Sequence, residues 1–243
     1  MRNLTAARRE ATMTPPAGPD WSSELETGSA QEIIAEFVAR FHPRMALACS
    51  FQKEESVLLD MLLNIEPAAR VFTIDTGVLF PETRDTWREV ERRYGIEIEV
   101  YDALPDDGGT WTVARCCSDR KVEALDTALT GLDAWMTGLR REQAPTRSRA
   151  PKVGWDAAHG LWKANPLADW TESAVWDYIA EHDLPYHPLH DEGYASIGCA
   201  PCTRPGTGRE GRWAGTDKTE CGLHVTPVNG DIAVPATALR AAS

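Results

Sequence analysis

The sequence predicts an α/β fold built on a doubly wound, mostly parallel sheet, and three observations predict it. Short apolar runs recur at "MALACS", "RVFTIDTG" and "IEIEVYD". Stretches with a helical period separate them, and Pro81 and Gly95 bracket one such stretch as a helix start and stop. Strands alternating with helices form a parallel sheet covered on both faces, with ligands held at the carboxyl ends of the strands.

The elements follow in order. Residues 1–28 carry scattered small and turn-forming residues without a sustained period and read as a flexible N-terminal arm. From Gln31, Ile33, Ile34, Phe37, Val38 and Phe41 recur at helical spacing. Met45 to Ser50 fits a buried strand, and after it Val57, Leu58, Met61, Leu62 and Ile65 share one helical face. A second strand ends near Asp75, a helix runs from Pro81 to Gly95, and "IEIEVYD" alternates as a third strand. Beyond Asp102 the pattern gives a helix near Ser118 to Leu129, a strand in "AWMTGL", and a helix in "TESAVWDYIAEH" with Thr171 as N-cap. From Pro185 onward Gly, Pro, Arg and three cysteines dominate. This order places "SFQKEES" and "DTG" at the expected site.

Composition narrows the function. A chain of 243 residues, 42% of them hydrophobic, suits one large domain with appendages. A net charge of −12 and a pI near 5.0 argue against nonspecific binding to nucleic acid or to an anionic membrane surface. No apolar run approaches bilayer length, and residues 1–30 lack the apolar core of a signal peptide, so the expected location is cytoplasmic. In that reducing compartment the six cysteines point to metal or catalysis rather than disulfides.

Cys199 and Cys202 have C-x2-C spacing, and "RCC" places Cys116 and Cys117 side by side. Four thiolates can close around zinc or an iron-sulfur cluster. Adjacent residues on a helix project their side chains about 100° apart. That divergence fits one tetrahedral ion badly and the separate iron corners of a cubane well, which favours a cluster. A strained vicinal disulfide and a pair of packed small hydrophobes are the plainer alternatives. Cys49, inside an apolar strand, reads as core. Cys221 is left over among Lys218, Glu220 and His224, an exposed thiol that sequence alone reads as incidental more readily than catalytic.

Two arginine-rich stretches stand out in this acidic chain: Arg140, Arg141, Arg147 and Arg149, then Arg209 and Arg212 among glycines. Such clusters suit phosphate or sulfate oxyanions, and each taken separately is equally consistent with a solvated loop. "SFQKEES" sits where a phosphate loop would, yet without a glycine it cannot be a Walker loop. Asp75 is either a turn residue or a nucleotide contact at the sheet edge.

Together "RCCSDRKVEAL", "TGLRREQAPTR", "SIGCAPCTRP", "GREGRW" and "ECGLH", in this order, closely resemble the assimilatory adenylyl-sulfate (APS) reductases, the cluster-bearing branch of the phosphoadenylyl-sulfate (PAPS) reductase family. The resemblance runs from about Ile33 to His224. It implies an adenine nucleotide alpha hydrolase-like fold, related to ATP pyrophosphatases, and reduction of APS to sulfite and AMP with thioredoxin as electron donor. It implies a 4Fe-4S cluster on Cys116, Cys117, Cys199 and Cys202, and Cys221 as nucleophile in a motif that also holds His224. Lys121, Arg147, Arg209 and Arg212 would hold oxyanion charge, with Lys121 one helical turn beyond Cys117 and so between cluster and sulfate. Ser50, Gln52 and Ser56 would belong to a modified pyrophosphatase loop, and Gly77 and Gly138 would admit the nucleotide to the backbone.

On this reading residues 29–205 form the nucleotide- and cluster-binding domain. Residues 206–243 form a mobile C-terminal segment that carries Cys221 first to substrate and then to a protein partner. A homo-oligomer is compatible with the sequence. PAPS reduction, alone or beside APS reduction, is the nearest alternative; the four cysteines favour APS, since members restricted to PAPS lack them. An ATP-using thiolation enzyme would need a glycine-bearing loop absent from "SFQKEES". A non-catalytic cluster-binding or sulfate-sensing module would leave Cys221 dispensable.

Overall fold

In the computed structural model the described residues are Pro15, 20–104 and 119–213. They form a six-stranded sheet in the order β3-β2-β1-β4-β6-β5, with strands Met45–Ala48 (β1), Arg70–Asp75 (β2), Glu99–Asp102 (β3), Ala134–Met136 (β4), Val153–Asp156 (β5) and Leu161–Ala164 (β6). Every neighbouring pair is parallel except β5 with β6, which is antiparallel. The expected doubly wound, mostly parallel sheet is therefore the observed one.

Helices cover both faces because each carries one apolar stripe. Ala30–Phe41 (α2) buries Ile33, Ile34 and Phe37, and Lys53–Ile65 (α3) buries Val57, Leu58, Met61 and Leu62. They join one core with β1, the inner face of β2, and Val175 and Ile179 of Glu172–Glu181 (α6). Asp119–Ala128 (α5) closes the opposite face, where Leu125, Leu129 and Leu132 pack on Phe72 and Trp135. Pro81–Tyr94 (α4) starts at its proline and ends at Gly95, whose φ of 65° is the left-handed cap that favours glycine. Ser29 and Glu32 form a capping box on α2, and Thr171 accepts from Ala174 N–H at the start of α6.

Two regions differ from the sequence reading. Residues 20–28 are not a loose arm: Asp20 caps a short helix, Trp21–Leu25 (α1), and Trp21 packs on Phe41 and Trp162. Glu26 then accepts from Lys152 N–H and pairs with Arg141, so tertiary contacts hold a segment too short to be helical alone. The β5–β6 hairpin was not expected either; Trp155 pairs with Trp162 across it, and Gly160 turns with a φ of 68°. At the other end, packing continues through Trp213, which is buried and donates its backbone N–H to Cys202 O. Among the described residues no helix is long and apolar enough to cross a membrane.

Candidate active site

Strand order reverses between β1 and β4, since the chain leaves β1 for β2 on one side and returns to β4 on the other. At such a switch point the loops after neighbouring strands diverge and leave a crevice. A cavity of about 140 Å³ occupies it, far above the roughly 10–15 Å³ that one water needs. Its walls come from the carboxyl ends of β1, β2 and β4, from Lys121 and Leu125 of α5, and from the segment holding Cys199, Arg209 and Arg212.

The loop after β1 is shaped by Phe51, which takes a left-handed φ of 59° while its buried ring stacks on Trp87 at 5.5 Å. A non-glycine residue held there is strained backbone fixed by packing, which turns Ser50 and Gln52 into the cavity wall. Gln52 bridges two loops: its Oε1 accepts from Ile197 N–H at 2.8 Å and its Nε2 donates to Ser50 Oγ at 3.2 Å. Lys53 reinforces that bridge by donating to Ala195 O at 3.0 Å.

Adjacent carboxylates at the start of α3 part ways. Burial would push the Glu54 carboxyl up, but Lys53 and Arg140, whose Nε donates to it at 2.9 Å, outweigh burial and hold it below the usual range. Glu55 has no such cation. Burial, then the Glu54 charge, push it up to about 8, against hydrogen bonds from Ser50 Oγ–H and Gln52 N–H. Gly138 belongs to this wall, and a Cβ there would lie 2.6 Å from Glu55 Oε1 and 2.8 Å from Glu54 Cβ.

Four cations line the cavity: Lys121, Arg147, Arg209 and Arg212. Arg212 donates through NH1 to Ile197 O at 3.0 Å and to Ser196 Oγ at 3.2 Å, and its guanidinium lies 4.7 Å from the Trp213 ring. The plane fits because residue 198 is glycine; a Cβ there would meet Arg212 NH2 at 2.4 Å. Of the other arginines in the first cluster, Arg140 is buried against Glu54 and Glu142, Arg141 pairs with Glu26, and Arg149 is exposed. Lys163 lies behind the cavity, 4.4 Å from the Trp135 ring, and burial pulls its pKa down to about 8.

Cys199 lines the cavity and opens the 3₁₀ turn Ala200–Cys202. Its Sγ is 3.2 Å from Thr76 Oγ1, and Cys202 Sγ donates to Cys199 O at 3.5 Å. Both thiols are buried, and two thiols three residues apart on one tight turn are soft-metal donor chemistry. Among the described residues no group of three or more metal-ligating side chains assembles, and Cys116 and Cys117 lie outside the described residues, as do Cys221 and His224. Cys49 is a core thiol pushed well up by burial.

Three residues expected to contact the nucleotide do not line this cavity. Asp75 accepts from Gly77 N–H at 2.8 Å and pairs with Arg84 at 2.9 Å. Gly77 has a φ of 72°, and a Cβ there would strike Leu104 at 2.1 Å. Ser56 is buried within α3 and does not line the cavity. Sequence reasoning passed over Glu55, Gly198, Thr137 and Gln143, which do; for Gly198 its place beside Cys199 was a usable signal.

The phosphoadenosine phosphosulfate reductase domain model matches residues 44–205. The chain belongs to that reductase family. A family member from Gloeobacter violaceus, named phosphoadenosine 5′-phosphosulfate reductase, is 43% identical over 83% of this chain and 90% of its own length. One from Allochromatium vinosum, named adenosine 5′-phosphosulfate reductase, is 45% identical over 81% and 84%. The crystal structure of a Candida auris PAPS reductase in complex with phosphate superposes with a TM-score of 0.65 at 27% identity, covering 79% of this chain and all of that one. The family's sheet is adenine nucleotide alpha hydrolase-like, and the cavity described above lies within the matched segment together with Arg209 and Arg212 just beyond it.

Proposed function

We propose that this protein reduces adenosine 5′-phosphosulfate to sulfite and AMP in assimilatory sulfate reduction for cysteine biosynthesis. The observation that carries this is a crevice at the sheet's switch point, lined by Lys121, Arg147, Arg209 and Arg212 in an otherwise acidic chain. Relatives at 38–45% identity named adenosine 5′-phosphosulfate reductase supply the substrate class.

The chain's residues divide the work. Ser50 and Gln52 shape the nucleotide side of the cavity, while the four cations hold the sulfate and phosphate oxygens, countering charge that builds on the leaving AMP. The Cys221 thiolate attacks the APS sulfur; an S–S bond forms, the S–O bond breaks, and AMP leaves with the electron pair. A thioredoxin thiolate then attacks Cys221 Sγ and expels sulfite, and the second thioredoxin thiol resolves the mixed disulfide, so the two electrons come from the dithiol. His224 travels with Cys221 in the same motif. Cys199 and Cys202, with Cys116 and Cys117, would hold a 4Fe-4S cluster that supplies structure and charge beside Lys121 rather than electrons.

Replacement of Cys221 by Ser tests the reading. Anaerobically purified variant and parent should each carry about four irons per chain. Sulfite release from APS with reduced thioredoxin should fall on the order of 10³-fold or more in the variant. Retained turnover would remove Cys221 as nucleophile, and an active iron-free parent would remove the cluster. The same assay run with PAPS addresses the second reading, which the name of the Gloeobacter violaceus relative favours.

A further inference from the structure

Glu55 is more than the third residue of a helix cap. The residue is 7% exposed, lines the cavity, and makes no ion pair among the described residues. Charged and titratable groups approach it from several elements. On its own helix, Glu54 adds a negative charge, and Lys53 points to Ala195 O and Glu172. From the end of β1 comes the Cys49 thiol; from the loop after β4 comes Arg140, whose guanidinium bonds Glu54, Glu142 and Trp170 O. Lys121, Arg147, Arg209 and Arg212 line the same cavity, and no cation is among the groups that shift the Glu55 carboxyl.

A carboxylate buried without a cation, beside a second carboxylate that has claimed one, is more stable protonated. The hydrogen bonds fix where the proton sits. Oε2 accepts from Ser50 Oγ–H at 3.1 Å and Gln52 N–H at 3.2 Å, whereas Oε1 has no hydrogen bond to another described residue and faces the edge of Gly138. The acid is thus an O–H donor on the cavity side.

We propose that Glu55 is held as a neutral acid in the wall of the anion cavity, and that its ionisation is what ends binding of the anionic nucleotide at alkaline pH. Neutral, it adds no repulsion and offers a donor to a ligand oxygen; ionised, it places a negative charge against a negative ligand in a low-dielectric wall. Its pKa of about 8 sets the range in which the change occurs. The inference rests on the sulfonucleotide reading above.

AMP affinity is measured by calorimetry from about pH 6 to about pH 9.5 for the parent and for Glu55→Gln, which keeps the cap and a neutral donor and cannot ionise. Titration of the phosphate itself is common to both. The ratio of parent to variant affinity should be level at low pH and then fall above about pH 8, approaching tenfold per unit, the limit for one linked proton. Infrared difference spectra of the parent, without nucleotide, should hold a protonated-carboxyl band at neutral pH that disappears through the same range and is missing from the variant. A level affinity ratio throughout, or no such band at neutral pH, overturns the proposal. AMP binding to neither protein at any pH overturns the sulfonucleotide reading and the role in binding with it, and the infrared titration then separates that outcome from an error about the protonation of Glu55.

Discussion

The two halves of the sheet are held together by different forces. β1, β2 and β3 are linked by α3 and α4, and the core between them is built on Met45, Leu47 and Val71 packed against Val57, Leu58, Met61 and Leu62. Between β4 and β5 the chain instead runs through residues 137–152, two 3₁₀ turns and no α-helix. That crossing is held by ion pairs and charged hydrogen bonds: Arg140 to Glu54, Glu142 and Trp170 O, Arg141 to Ala150 O and Glu26, Lys152 to Gly28 O and Asp169. Apolar packing is nondirectional and fixes a scaffold, whereas charged hydrogen bonds fix the path of a loop. The cavity lies along the seam, so a wall backed by the apolar core meets a loop that carries Arg147.

The ionic half should break hardest. Arg140→Ala leaves the Glu54 carboxylate buried without its partner, and loss of one member of such a pair costs about 3–5 kcal/mol. Urea unfolding should show the unfolding free energy fall by that much, read as a lower midpoint at unchanged m, and AMP affinity should fall with it because the loop carrying Arg147 loses its anchor. Arg140→Met combined with Glu54→Gln should recover most of the stability, since the unpaired charge is gone. A loss under about 1 kcal/mol for Arg140→Ala would mean that the pair is not what holds the loop.

Leu58→Ala in α3 makes the contrast sharper. Leu58 is fully buried on the apolar side, and its truncation should cost about 3 kcal/mol through lost burial and a cavity. Here stability should fall while AMP affinity at temperatures well below unfolding stays close to that of the parent. If affinity fell as far as in Arg140→Ala, the two halves would not be separable in this way.

The same division explains what was legible in the sequence. In α2, α3 and α4 the apolar period, Pro81 and Gly95 carry the structure locally, so pattern and fold agree. β5 and β6 are four residues each, interrupted by Gly154 and Lys163, and become strands only through the Trp155–Trp162 pairing and the packing of Trp21. Within the site, the arginine clusters and the C-x2-C spacing pointed to Arg147, Arg209, Arg212 and Cys199, and Lys121 came with the family resemblance; all five line the cavity. Residue type alone does not separate Arg147 from Arg140, because which arginine meets Glu54 is decided by a contact between positions 86 apart. The turn reading of Asp75 anticipated its contact with Gly77 N–H, but not its ion pair with Arg84 from the next helix.

The smallest effect belongs where the two halves meet, at the start of α6. Thr171 Oγ1 accepts from Ala174 N–H at 3.1 Å, and Glu142 accepts from Glu172 N–H at 2.7 Å beside it. Thr171→Ala removes one acceptor at an exposed position where water can replace it, and a second acceptor at the same helix end remains. The cost should be about 0.5–1 kcal/mol, at the low end for an N-cap. Thr171→Ser should restore it, which a calorimetric melt resolves as a shift of a few degrees at this chain length. Should Thr171→Ala cost as much as Arg140→Ala, the cap would be part of the ionic network through Glu172, which already pairs with Lys53 at 3.2 Å, and the seam would have to be drawn one helix further into the apolar half.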